Sequence, residues 1–222
     1  MANDEFERAV FINCPFDEAY AHLLEAATFC VVYFGFIPRL ANERVESGEN
    51  RLDKIVDMIK SSKYSIHDLS RCRTDTEDRF FRMNMPFEFG LDVGLRRSGN
   101  EAFRTKKFLI FEERQYDLKR ALSDVAGQDV DYHHCEYDRV IKMTRNFFRV
   151  EVKVDAPGAA RIISDYATFQ GWMTEKKLFE GHSEEEAMNL PTRERLDEMR
   201  VWVTLGKPMK FYPAMDDGLD PN

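Results

Sequence analysis

Neither a GxGxxG stretch nor a P-loop sequence occurs in this chain, so Rossmann-type dinucleotide binding and nucleoside triphosphate hydrolysis have no support. Paired cysteines are missing too: Cys14, Cys30, Cys72 and Cys135 are scattered without a CxxC spacing, and in a reducing compartment such residues are ordinary thiols. His133, His134 and Cys135 do stand side by side in YHHCEY. Neighbours in sequence point in different directions on a strand or a helix, so this run is not a ligand set and no metal is expected. No apolar run approaches the roughly 20 residues of a membrane-spanning helix, and the opening MANDEFERAVFINC lacks the basic and apolar regions of a signal peptide. A cytoplasmic location with no membrane partner is the expectation. Lysine and arginine clusters interleaved with aromatics are also absent, and a net charge of −8 spread along the chain argues against a nucleic-acid partner.

What the chain does hold is apolar mass and a regular alternation of patterns. With 222 residues, 43% of them hydrophobic and 13% aromatic, it can bury a full core without disulfides or metal. AVFIN, Ala9 to Asn13, reads as a buried strand, ended by CPFD, where Pro15 breaks it and Asp17 can cap the next element. Apolar residues then recur at helical spacing from Asp17 to Tyr33, with Gly35 as the stop. FIPRLA is a second strand, and NERVESGEN a polar loop in which Ser47 and Gly48 could form a small cradle. RLDKIVDMIKSS places Leu52, Ile55, Val56 and Ile59 on one face of an amphipathic helix, followed by YSIHDLS as a third strand. A long charged loop, RCRTDTEDRFFRMN, leads to a helix predicted from Pro86 to Arg97 and stopped at Gly99. KFLIFEE is a fourth strand, and YDLKRALSDV a helix. DVDYHH then reads as a short strand and YDRVIKMTRNFFRV as another helix.

Strand and helix alternate through short connections, the pattern of a parallel sheet covered by helices on both faces. The expected fold is α/β, a flavodoxin-like three-layer arrangement with a five-strand parallel sheet, forming a nucleotide-binding domain over residues 1–150. Beyond about Val150 the alternation stops. Further helical stretches, with Trp172 and Trp202 among their apolar residues, make a C-terminal helical extension over 151–212 that packs on the sheet domain or forms a dimer interface. Residues 213–222 read as a flexible acidic tail. Ligands in such a sheet bind at the carboxyl ends of the strands, near the switch in strand order. The loops CPFDEAY and DLSRCRTDTEDRFFRMN, and the residues after Phe111, are therefore where a site belongs.

Two carboxylates fall at that edge. Pro86 suits a first helical position, which puts Glu88 in the first turn, beside an expected buried stripe of Phe87, Leu91 and Leu95 and a groove opened by Gly90 and Gly94. The helix dipole favours an acid there by about 0.3–1 kcal/mol, and the side chain can cap a free amide, so a structural role stands beside a chemical one. Asp68 closes the third strand with Ser70 and Arg71 nearby; an aspartate at a strand end commonly caps a loop. Converging on the ligand edge, the two make a candidate catalytic pair. His67 alternates to the opposite face from Asp68 and reads as a packed, helix-facing histidine rather than a base.

Taken together, VFINCPF, LDKIVDMIKSSKYSIHDLS and MNMPFEFGLDVGL resemble the nucleoside 2-deoxyribosyltransferase-like and TIR-like superfamily of flavodoxin-like N-glycosidases. The resemblance covers about residues 9–135 and leaves the C-terminal helices unexplained. Its most specific element is a strand ending in Asp, a loop, and a helix carrying an E-x-G-x-A pattern. Glu88 and Gly90 match that pattern, whereas Asp92 stands in its fifth position.

The resemblance implies catalytic roles for Glu88 and Asp68. Glu88 would attack the anomeric carbon or stabilise an oxocarbenium-like transition state, and Asp68 would contact base or ribose. A carboxylate suits this chemistry because positive charge develops on the sugar. Substrate-binding roles are implied for Asn13, Phe16, Tyr20, Ser70, Arg71 and Asn84, with Arg71, Arg73 or Arg79 meeting a phosphate where the substrate has one. The implied activity is cleavage of the base–ribose bond of a nucleotide or of NAD, in signalling or antiphage defence. NAD would be substrate, no cofactor is called for, and a homo-oligomer is expected. A deoxyribosyltransferase has less support, since nothing specifies a 2-deoxy sugar. The competing reading is a non-catalytic nucleotide-sensing or protein-interaction module of the same fold. A response-regulator phosphoacceptor is disfavoured, because it wants paired acids after the first strand, where this chain has NCPFDE.

Overall fold

A computed structural model describes residues 2–41, 48, 50–73, 83–125 and 127–213. Five strands, β1 (Ala9–Asn13), β2 (Ile37–Leu40), β3 (Tyr64–Asp68), β4 (Lys107–Glu112) and β5 (Asp131–Tyr132), form one all-parallel sheet in the order β2-β1-β3-β4-β5. Helix α1 (Ala2–Arg8) precedes β1, α2 (Ala21–Tyr33) joins β1 to β2, and α3 (Arg51–Lys60) leads to β3. From β3 the chain passes through α4 (Asn84–Arg96) and the short α5 (Glu101–Arg104) to β4, then through α6 (Asp117–Ala121) to β5. Helices α7 (Tyr137–Phe147), α8 (Ala159–Phe179), α9 (Glu184–Met188) and α10 (Thr192–Thr204) complete it. This is the flavodoxin-like α/β order expected, with helices on both faces and further helices at the C-terminal end. The chain leaves β1 in one direction across the sheet and returns to β3 on the other side, so the switch point lies between them, where Asn13 is in register with His67.

Alternation along the strands divides the core. Val10 and Ile12 of β1 and Ile66 of β3 face the cluster built by α2, α7 and α8, while Phe11 faces Ile55, Met58 and Ile59 of α3. Helix α2 is buried along nearly its whole length, from Leu23 to Val32, with no polar face. Its outer side is covered by the C-terminal helices: the Phe29 ring lies 5.1 Å from Tyr166, 5.6 Å from Phe169 and 5.8 Å from Trp202. Trp172 and Trp202 thus belong to the same core as β1, and the extension packs on the sheet domain. Gly35, at φ 77°, ends α2 because its N–H reaches Val32 O and the next N–H reaches Val31 O, a turn that needs a left-handed residue.

Two helices differ from expectation. On α3 the buried face is Lys54, Ile55, Met58 and Ile59; Ile55 and Ile59 are buried as expected, Val56 is half-buried and Leu52 is exposed. Helix α4 starts at Asn84, so Pro86 is its third residue and Glu88 its fifth, past the first turn. The missing N–H of a proline is harmless anywhere in a first turn, whose amides lack helical partners, and so Pro86 does not fix the start. The buried residues of α4 are Met85, Glu88, Phe89 and Asp92, with Leu91 and Leu95 partly buried against α3; Phe87 is 54% exposed, and no described residue approaches Gly90 or Gly94.

Among the described residues no helix is long and apolar enough to cross a membrane. Ser47, Arg79 and the acidic tail beyond residue 213 lie outside the described residues.

Candidate functional site at the carboxyl edge of the sheet

The last residues of β1 and β3 point alternately to the two faces, and this places the polar side chains. Asp68, like Ile66, faces the α2 side, whereas Asn13 and His67 face α4. The backbone of Asp17 turns the chain into α2, its carboxylate accepting from the Tyr20 N–H at 3.1 Å, and this brings the Tyr20 ring back over the end of β3.

Asp68 is fully buried and fully hydrogen-bonded. Its Oδ1 accepts from the Ser70 N–H at 2.9 Å and from the Ser70 hydroxyl; its Oδ2 accepts from the Tyr20 hydroxyl at 2.5 Å and from His133 Nε2 at 2.9 Å. The His133 tautomer is set by its other nitrogen, because Nδ1 accepts from the Cys135 N–H at 2.9 Å and the ring hydrogen must therefore sit on Nε2. Consecutive left-handed residues, His134 and Cys135, make the turn that aims His133 inward. Burial, the largest influence, pushes the Asp68 carboxyl up, but the bonds from His133, Ser70 and Tyr20 outweigh it and hold the group below its ordinary 3.8. Burial and then the Asp68 charge push the Tyr20 phenol well above 10.

Serine, histidine and aspartate are thus in contact, with Ser70 Oγ 2.8 Å from His133 Nε2. They do not form a nucleophilic triad. Serine and aspartate share one ring nitrogen, the other nitrogen is held by the Cys135 N–H, and the serine hydroxyl bonds the aspartate directly, so no base is oriented to activate the hydroxyl.

Glu88 is the opposite case. It is 7% exposed, and its carboxylate has no hydrogen bond or ion pair with a described residue. Burial pushes it up from 4.5 to about 7, while Arg51 at the start of α3 pulls weakly the other way. The Cys14 thiol, just past β1, is raised first by burial and then by the charges of Asp68, Glu88 and Asp17, so both carboxylates act on one point at the edge.

The remaining expected residues divide. Tyr20, Ser70 and Asp68 come together as one network. Arg71 pairs with Asp17 at 2.7 Å beside it, and Arg73 grips Asp117 through Nε at 2.8 Å and Nη2 at 2.5 Å, so the two arginines expected at a phosphate both hold carboxylates of this chain. Asn13 donates to Met85 O at 2.9 Å and to His67 Nδ1 at 3.1 Å, tying β1 to α4. Phe16 and Asn84 are exposed. Asp17 caps the turn before α2 as expected, whereas His133 and Arg51 were not expected at the site. For His133 the available signal was its position directly after a short strand, at the same carboxyl edge. Among the described residues no three His, Cys, Asp or Glu side chains cluster so as to hold a metal ion.

Chemically, the edge offers a largely buried carboxyl, unpartnered among the described residues and able to exchange a proton near neutrality or to stabilise a cation, and, on the α2 side, a saturated one held below its ordinary range. No family model, no curated protein and no solved structure matches this chain.

Proposed function

We propose that this chain is an N-glycosidase that cleaves the base–ribose bond of a nucleotide or of NAD, with Glu88 as the group at the anomeric centre. The observation that carries the reading is the state of Glu88: nine-tenths buried, bonded to no described residue, past the first turn of its helix and therefore not a cap. Burying most of a carboxyl away from any described donor costs stability, which a folding role would not require. A negative or proton-bearing group held largely buried at the switch point suits a reaction whose transition state develops positive charge on a sugar. Asp68, with both oxygens occupied, serves in this reading to hold Tyr20 and Ser70 in place, with contact to base or ribose made by its partners.

The second reading, a nucleotide-sensing or protein-interaction module, is favoured by that same saturation of Asp68, which leaves one free acid where a glycosidase commonly uses two. Incubation of the protein with NAD and a panel of nucleosides and nucleoside monophosphates, with free base followed by chromatography, separates the two. Base release that is lost, by at least about 1000-fold, in Glu88→Gln is the expected result. Release that persists in Glu88→Gln removes Glu88 from the chemistry, and no release from either protein at high concentration selects the binding module.

A further inference from the structure

Asp92, the residue that departs from the E-x-G-x-A pattern, lies one turn beyond Glu88 on α4 and is fully buried. Its Oδ2 accepts from the Ser65 hydroxyl at 2.5 Å and faces His67 Nε2 at 3.3 Å. Lys106 Nζ stands 3.2 Å from Oδ1, outside hydrogen-bonding angles, and donates to the carbonyls of Ile59 and Ser62. A carboxylate in place of a small residue is thus matched by three partners drawn from β3 and the start of β4.

The polarity of the chain of bonds is fixed from its far end. Met85 O can only accept, so the Asn13 group facing it is the NH2, and that NH2 also faces His67 Nδ1. Nδ1 is therefore an acceptor, the ring hydrogen is on Nε2, and it points to Asp92. One relay, Asn13 to His67 to Asp92, grips α4 at Met85 and again at Asp92, on either side of Glu88 and on the same helical face.

We propose that Asn13, His67 and Asp92 are positioning residues for Glu88, a buried relay that sets the register of α4 against β1 and β3 and so holds Glu88 dry at the sheet edge. The inference rests on the reading of Glu88 as the working group. Among the described residues the charge that acts on Glu88 is Arg51 from α3, and Glu88 in turn acts on the Cys14 thiol; neither belongs to the relay. The relay therefore reaches Glu88 only through the placement of α4.

The test is the titration of the Glu88 carboxyl by carbon NMR in the whole protein, which needs no substrate, so its outcome is separate from that of the base-release assay. His67 is packed among the rings of Phe89, Phe108 and Phe11 at 5.0, 5.6 and 6.1 Å, so His67→Phe keeps the packing and cuts the relay. A loosened α4 admits water, and the Glu88 midpoint is expected to fall by at least about one pH unit toward its ordinary value. His67→Gln presents an acceptor to Asn13 and a donor to Asp92, as the histidine does, and is expected to restore the midpoint. Asn13→Ala severs the relay at its other end and serves if near-ultraviolet circular dichroism shows His67→Phe unfolded. A midpoint unchanged from the parent in a folded His67→Phe or Asn13→Ala would overturn the proposal, leaving these residues a purely structural role.

Discussion

Asp68 and Glu88 reach the same edge of one sheet, both with at most 7% of their surface exposed, and their surroundings differ in every respect. Four donors converge on Asp68 from β3's own loop, from the turn before α2 and from the end of β5, and the group is held ionised. Glu88 is buried with no donor from a described residue, and its proton is held up to about pH 7. The same side-chain chemistry therefore serves two ends. A carboxylate that satisfies others stabilises the fold, and one without a described donor is open to a ligand at a cost in stability.

Breaking the saturated site should have the largest effect. Asp68→Ala strands the Tyr20 hydroxyl, the Ser70 donors and His133 Nε2 in a buried setting, and urea unfolding should show a loss of about 3–5 kcal/mol. The bare site should respond to pH in the opposite sense from the usual acid. Because the folded midpoint of Glu88, about 7, lies above its ordinary 4.5, the folded state holds the extra proton between these values, and stability falls as pH rises through that window. The loss amounts to about 3 kcal/mol, fully present above pH 7 and absent below 4.5. Glu88→Gln should lack this slope, and at pH 8 should be more stable than the parent by a similar amount. A parallel pH dependence in the two proteins would contradict the bare setting. Tyr20→Phe removes one donor of four and should cost about 1–2 kcal/mol. Arg71→Ala, at a partly exposed pair, should cost less than about 1 kcal/mol and less still in high salt, the difference from the parent being read at two ionic strengths.

Much of the scaffold was legible because it depends on local pattern. Alternating apolar strands and amphipathic helices with short connections specify a parallel sheet, and with β1 between β2 and β3 right-handed crossovers put helices on both faces. The role of the C-terminal helices was less legible: their apolar residues left packing on the sheet domain and a dimer interface both open, and it is in the structure that they cover the outer side of α2, which has no polar face.

The site was legible only in part. Spacing locates Asp68 and Glu88 at one edge, but it cannot tell a saturated carboxylate from one without a described donor, since both donors on Asp68 Oδ2 come from residues 48 and 65 positions away. Pro86 suggested a start two residues too late, and apolar spacing picked out Phe87, Leu91 and Leu95, because a pattern of apolar residues cannot single out a buried face that carries Glu88 and Asp92. His133 was hidden by its neighbours, since HHC invites a question about metals while one histidine alone turns inward.

The most direct measurement is a carbon NMR titration of both carboxyls in one sample of the parent protein. The account predicts a Glu88 midpoint near 7 and an Asp68 midpoint below 3.8. A Glu88 midpoint at or below its ordinary 4.5 would mean that a partner satisfies it, and the contrast on which the proposed function stands would be gone.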